Sequence, residues 1–210
     1  MRPETIALVG GAFVVAVAIA ASVLAIDGID TDSLTQALQL TARFSFAVFW
    51  CAYAGSGLAA VLGMRFRLGR DCGLAFAAAH TVHLALVIWL YQVSSTAPLS
   101  VRAAVFFSIG LIWTYLLAVL SVEKLSKFVG ATAWRWLRLI GLEYIMLAFQ
   151  ADFFPRAVHT GNLRHLLAYV PFAALGLAGT ALRMWGWIHK SAPRMLRLRA
   201  RTAERSIRRL

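Results

Sequence analysis

Apolar runs of about 20 residues recur along the whole chain, and each is long enough to cross the hydrocarbon core of a bilayer as a helix. Within lipid a backbone must satisfy its own hydrogen bonds, so such runs fold as helices. The runs are Thr5–Ile26, Leu38–Met64, Cys72–Val93, Val101–Val122, Trp134–Phe153 and His165–Ile188. Their links are short. The sequence therefore predicts an all-α, polytopic membrane protein, a bundle of six transmembrane helices over residues 1–188 followed by a basic cytoplasmic tail, 189–210. Only 14% of the residues are charged, against about 25% in soluble domains, which leaves no room for a separate soluble domain. The first run, from Ile6 to Ile26, exceeds the apolar core of roughly 7–15 residues of a signal peptide and is expected to stay as a helix.

The formal net charge is +12. Its distribution assigns it to membrane orientation and not to nucleic acid, which is not expected as a partner. Arg65, Arg67 and Arg70 fill the second link; Lys124, Lys127 and Arg135 surround the fourth; Lys190, Arg194, Arg197, Arg199, Arg201, Arg205, Arg208 and Arg209 fill the tail. In a six-span arrangement these all fall on one side. Positive residues stay on the cytoplasmic side, so both termini are expected in the cytoplasm of a bacterial inner membrane. The link carrying Asp27, Asp30 and Asp32 then faces outward. The tail also carries Met195, Leu196, Leu198, Ile207 and Leu210. It reads as a topology anchor, as an amphipathic helix on anionic lipid, or as a scaffold that recruits a partner. Cys51 and Cys72 lie at different depths, and no disulfide is expected between them. The tryptophans at span ends, among them Trp89, Trp134, Trp136, Trp185 and Trp187, fit an interfacial aromatic belt.

Few polar groups sit at depth. His80 and His83 are three residues apart and share one face of the third span. They lie about 12 and 16 Å along it, near the bilayer middle. On the fifth span Glu143 matches the depth of His80, and Met146 that of His83. Ionisable groups inside a membrane are functional candidates by default. Three uses stand open: a haem or metal ligand, a proton relay, or a hydrogen-bonded structural core. A haem held by His83 needs a second ligand from another helix, since both imidazoles project from one face; Met146 has suitable chemistry. Glu143 is the expected hydrogen-bond or proton-relay partner of His80. Zinc wants three or four convergent ligands, and no such cluster is evident. Arg43 and Asp152 lie near the outer edge as a pair, or with Arg43 reaching for the head groups. His159 and His165 fall at or beyond the outer surface.

The stretch Arg70-Asp71-Cys72-Gly73-Leu74 running on to His83 resembles the Arg-x-x-Gly-Leu helix that ends in a haem-ligating histidine in the ferric reductase-like transmembrane domain family. Ala42-Arg43-Phe44-Ser45-Phe46 resembles bacterial members of that family, and Trp134-Arg135-Trp136-Leu137-Arg138 is similar to its Trp-x-x-Leu-His pattern. The resemblance implies a b-type haem electron carrier, with His83 as the iron ligand and His80 as an alternative. It also implies a separate electron donor, a flavoprotein or a quinol, because no Gly-rich dinucleotide motif is present. The chain departs from the family at Arg138, where the pattern places histidine, and near Gln150 and Ala151, where a second histidine would fall. The usual bis-histidine ligation is therefore broken.

Overall fold

The computed structural model of the protein describes residues 1–66, 68–121, 123–158 and 163–207. Arg67, His159, Arg208, Arg209 and Leu210, singled out above, lie outside the described residues. Among the described residues there are seven helices and no strand: α1 (Pro3–Asp27), α2 (Thr31–Val61), α3 (Gly69–Val93), α4 (Val101–Leu120), α5 (Glu123–Val129), α6 (Ala131–Val158) and α7 (Leu163–Ile207). Five are long and apolar enough to span a membrane, namely α1 to α4 and the His165–Ile188 part of α7. Their outward faces carry large apolar side chains such as Val14, Ile112, Val119 and Leu177, as contact with lipid requires.

The expected fifth span corresponds to α6. Its Arg135, Arg138, Glu143, Asp152 and Arg156 are spread along its length, so it lacks the continuous apolar stretch of the other five. A short helix, α5, forms in the link after α4. The last helix, α7, runs on through the start of the tail to Ile207. The sidedness of the tail concerns side chains outside the described ones.

Local sequence explains the helix ends. Pro3 occupies the first turn of α1, where its missing N–H is harmless. Asp30 caps α2: its carboxylate accepts the Ser33 N–H at 2.7 Å. That cap starts α2 seven residues before the apolar run and turns the expected loop into helix. At the other end Gly63 takes φ +68°, and the Met64 N–H reaches back to the Ala59 carbonyl at 2.7 Å. This is a Schellman stop, which needs a residue free to adopt the left-handed region.

Two cores share α2. In the first, Ala12, Ala16, Ala20 and Val23 of α1 pack with Leu34 and Ala37 of α2 and Ala75, Ala79, Val82 and Leu86 of α3. In the second, Phe46, Phe49 and Tyr53 of α2 meet Ile145, Met146 and Phe153 of α6, Tyr169 and Ala173 of α7, Phe76 of α3 and Leu117 of α4. The start of α1 is pinned to the start of α3, where buried Asp71 accepts from the Thr5 hydroxyl at 3.0 Å and pairs with Arg2 at 3.4 Å. On α4 only Gly110, Thr114 and Leu117 are buried.

Candidate functional site

The two central imidazoles are brought together. The rings of His80 and His83 stack with centroids 5.1 Å apart and planes 24° from parallel, as one helical turn of separation allows. They face α2, which crosses α3 at Thr41. The Thr41 hydroxyl, itself wholly buried, lies 3.2 Å from Nδ1 of His83. It donates to the carbonyls of Ala37 and Leu38 at 2.8 and 3.1 Å. Those bonds use its one hydrogen, so towards His83 it accepts, and the His83 proton sits on Nδ1. Nε2 is then left with the free lone pair, the tautomer in which an imidazole binds a metal or takes up a proton.

His80 is differently placed. Its Nδ1 is buried with no hydrogen-bond partner among the described residues. Phe76 lies 5.3 Å and Phe149 6.2 Å from its ring, centroid to centroid. Ser45, one turn from Thr41 on the same face of α2, is also fully buried with an unpartnered hydroxyl. Orphaned polar atoms of this kind are uncommon in folded interiors. They mark the α2–α3 seam as a place where polar chemistry is kept inside an apolar wall.

The α6 residues did not assemble around the histidines as depth alone suggested. Glu143 does not pair with His80. Its carboxylate accepts the Tyr53 hydroxyl at 2.6 Å and pairs with Nε of Arg183 on α7 at 2.8 Å. The Arg183 guanidinium also lies 4.6 Å above the Tyr53 ring. Of the two alternatives for Arg43, the pair with Asp152 is not formed: Asp152 pairs with Arg156 at 2.9 Å, and Arg43 lies over the Tyr169 ring at 4.9 Å. Met146 is buried in the phenylalanine cluster of the second core, and the α6 ring that meets His80 is that of Phe149, one turn on. Thr41, Tyr53, Phe149 and Arg183 were missed as site residues. Only Thr41 left a trace in the sequence, as a hydroxyl close to the start of an otherwise apolar run.

As a haem site the residues fit on one side. His83 supplies a neutral imidazole with a basic Nε2 and a fixed Nδ1–H, the arrangement of an axial ligand. The packed phenylalanine rings lie against its neighbour His80. Among the described residues no three His, Cys, Asp or Glu side chains converge to hold a metal ion. A cavity of about 230 Å³ lies between α2, α3, α4 and α6, lined by Phe49, Phe76, Leu117, Trp134, Arg138 and Leu142 among others, and neither histidine borders it. Arg138, the residue standing where the reductase-like pattern has histidine, is thus on the rim of a mostly apolar pocket. No family model matches the chain, and no curated protein or solved structure is significantly similar to it.

Proposed function

We propose that the chain is a six-span protein of a bacterial inner membrane, of the ferric reductase-like class, that carries electrons through one atypically ligated b-type haem. The positive charge of the second and fourth links and of the tail favours both termini in the cytoplasm, with α6 as the remaining span, its Glu143 paired with Arg183 of α7 and its Asp152 with Arg156. The observation that supports an electron carrier is the state of His83: Thr41 holds its Nδ1–H and leaves Nε2 able to bind iron. A haem held there supplies one-electron chemistry in a medium that small polar reductants cannot enter. The protein's own contribution is to orient the His83 imidazole through Thr41, to enclose its neighbour His80 with Phe76 and Phe149, and to offer His80 as alternative ligand; the Met146 thioether lies in the ring cluster of the second core. The electron donor is a separate flavoprotein or quinol.

A second reading is favoured by the closed ring packing around His80 and by the engagement of Glu143 with Arg183. It is a haem-free membrane protein in which the stacked imidazoles serve as structural core or proton relay. A spectrum of the detergent-purified protein, oxidised and dithionite-reduced, from cells supplied with haem precursor, separates the two. The electron-transfer reading expects a Soret band, sharp reduced α and β bands, and their loss in His83→Ala. A folded, well-expressed protein with no haem overturns it in favour of the second.

A further inference from the structure

One polar cluster takes no part in either reading. It lies at the end of the bundle where α2 and α7 begin and α6 ends. Along α2, Asp32, Gln36, Gln39 and Arg43 recur every three or four residues and so share a face. They form one wall of a cavity of about 980 Å³, whose other wall holds Arg156 and Tyr169. From Asp32 to Arg43 that wall runs about 16 Å at 1.5 Å per residue. The cavity is therefore an open vestibule leading from the mouth at Asp32 down to Arg43, with these polar groups set in walls that are otherwise mostly apolar.

Its floor is short of negative charge. The guanidinium groups of Arg43 and Arg156 lie over the same Tyr169 ring, at 4.9 and 5.5 Å from its centroid. Arg156 has its acceptors: Asp152 at 2.9 Å and the Tyr169 hydroxyl, to which it donates, at 3.2 Å. Arg43 makes no hydrogen bond or ion pair among the described residues, and its Nε is buried without a partner. The nearby carboxylate, Asp152, makes its ion pair with Arg156 and reaches Arg43 only through its longer-range charge. Asp32 is a full vestibule length away. His165 is turned to the Arg156 backbone oxygen, 2.8 Å from its Nε2. A buried guanidinium N–H needs an acceptor, and the planar fork of a part-buried arginine matches the two oxygens of a carboxylate or phosphate.

We propose that this vestibule binds an anion presenting a phosphate or carboxylate group to Arg43, with the amides of Gln36 and Gln39 along its path. The same chemistry is offered by a free anion entering from the aqueous side and by the head group of an anionic phospholipid.

The full chain in phosphatidylcholine nanodiscs, titrated with inorganic phosphate or with succinate, tests the first source by the rise in its unfolding temperature. Native mass spectrometry after purification from phosphatidylglycerol-containing membranes tests the second by the lipid retained per chain. The expected result is a saturable rise in one arm or one retained phosphatidylglycerol in the other. Arg43→Gln and Gln36→Trp should each weaken it at least tenfold, and Arg102→Gln, at the start of α4, should leave it unchanged. Gln36 is exposed, so its replacement blocks the entrance without disturbing the core and carries the test if Arg43→Gln does not fold. Failure of the wild-type chain to bind either probe, or binding undiminished in the Gln36→Trp chain, overturns the proposal. Neither result depends on whether haem is present.

Discussion

The hydroxyl of Thr41 stands 3.2 Å from Nδ1 of His83 and is the hydrogen-bonded link between α2 and α3 at the level of the stacked imidazoles. Thr41→Val keeps the shape and removes the hydroxyl acceptor, leaving His83 its contact with the Leu38 backbone. The expected cost is about 0.5–1.5 kcal/mol, read as a lower unfolding temperature in detergent. Thr41→Ser should recover most of it. Equal stability of the valine and wild-type chains would show that the bond carries no net stabilisation.

Close approach of α2 and α7 depends on Gly57. A Cβ there would run into the Leu182 carbonyl, whose carbon would be 2.7 Å away. A backbone group cannot swing aside as a side chain can. Gly57→Ala is expected to push the helices apart and destabilise by about 1–3 kcal/mol. Gly10→Ala on α1, where nothing lies within 4 Å, should be neutral or slightly stabilising, since alanine is the better helix former by up to about 1 kcal/mol. Thermal unfolding of the two variants side by side makes the comparison.

The Tyr53–Glu143–Arg183 group should behave as one unit. Tyr53→Phe removes a charge-assisted hydrogen bond, worth about 1.5–3 kcal/mol when shielded; because Glu143 is nearly half exposed, the lower end is expected. Glu143→Gln removes the partner of Arg183. In a double-mutant cycle the two losses should fall short of additive by about 0.5 kcal/mol or more. Strict additivity in the measured unfolding free energies would mean that the Tyr53 hydroxyl and the Glu143 carboxylate are not energetically coupled.

Asp30 provides a test governed by pH. The Ser33 backbone N–H, helped by its side chain, holds the Asp30 carboxyl below its ordinary value of 3.8. The folded state thus binds the proton less readily than the unfolded one. The cap's contribution is complete above the ordinary value and fades as pH falls through the lowered one. Asp30→Ala should unfold at a lower temperature than wild type at neutral pH, with the gap closing below about pH 4. Asp30→Asn, which still caps, should show little of that pH dependence.

The spans that are apolar on every side were readable as they stand, because length and composition suffice to define them. The start of α2 was not. Asp27 to Gln36 looks like a loop by polarity, yet Asp30 caps a helix there whose Leu34 and Ala37 are buried against α1 and α3. Pairing across helices was legible only in part. His80 and His83 had to be neighbours, because one helix carries both. Glu143 was matched to His80 by depth, but depth fixes one coordinate and leaves the direction around the helix axis open. The partners it took, Tyr53 and Arg183, lie on α2 and α7, and only the packing of three helices could bring them to one carboxylate.

Thr41 and Arg43 are two residues apart on α2, so their side chains leave the axis about 200° from one another. One holds His83 against α3, and the other stands on Tyr169 of α7. The helix therefore works as a rigid spindle between two neighbours. A twist that draws Arg43 deeper towards α7 must swing Thr41 in the opposite sense across α3. Neither side chain can be re-aimed by turning α2 without re-aiming the other.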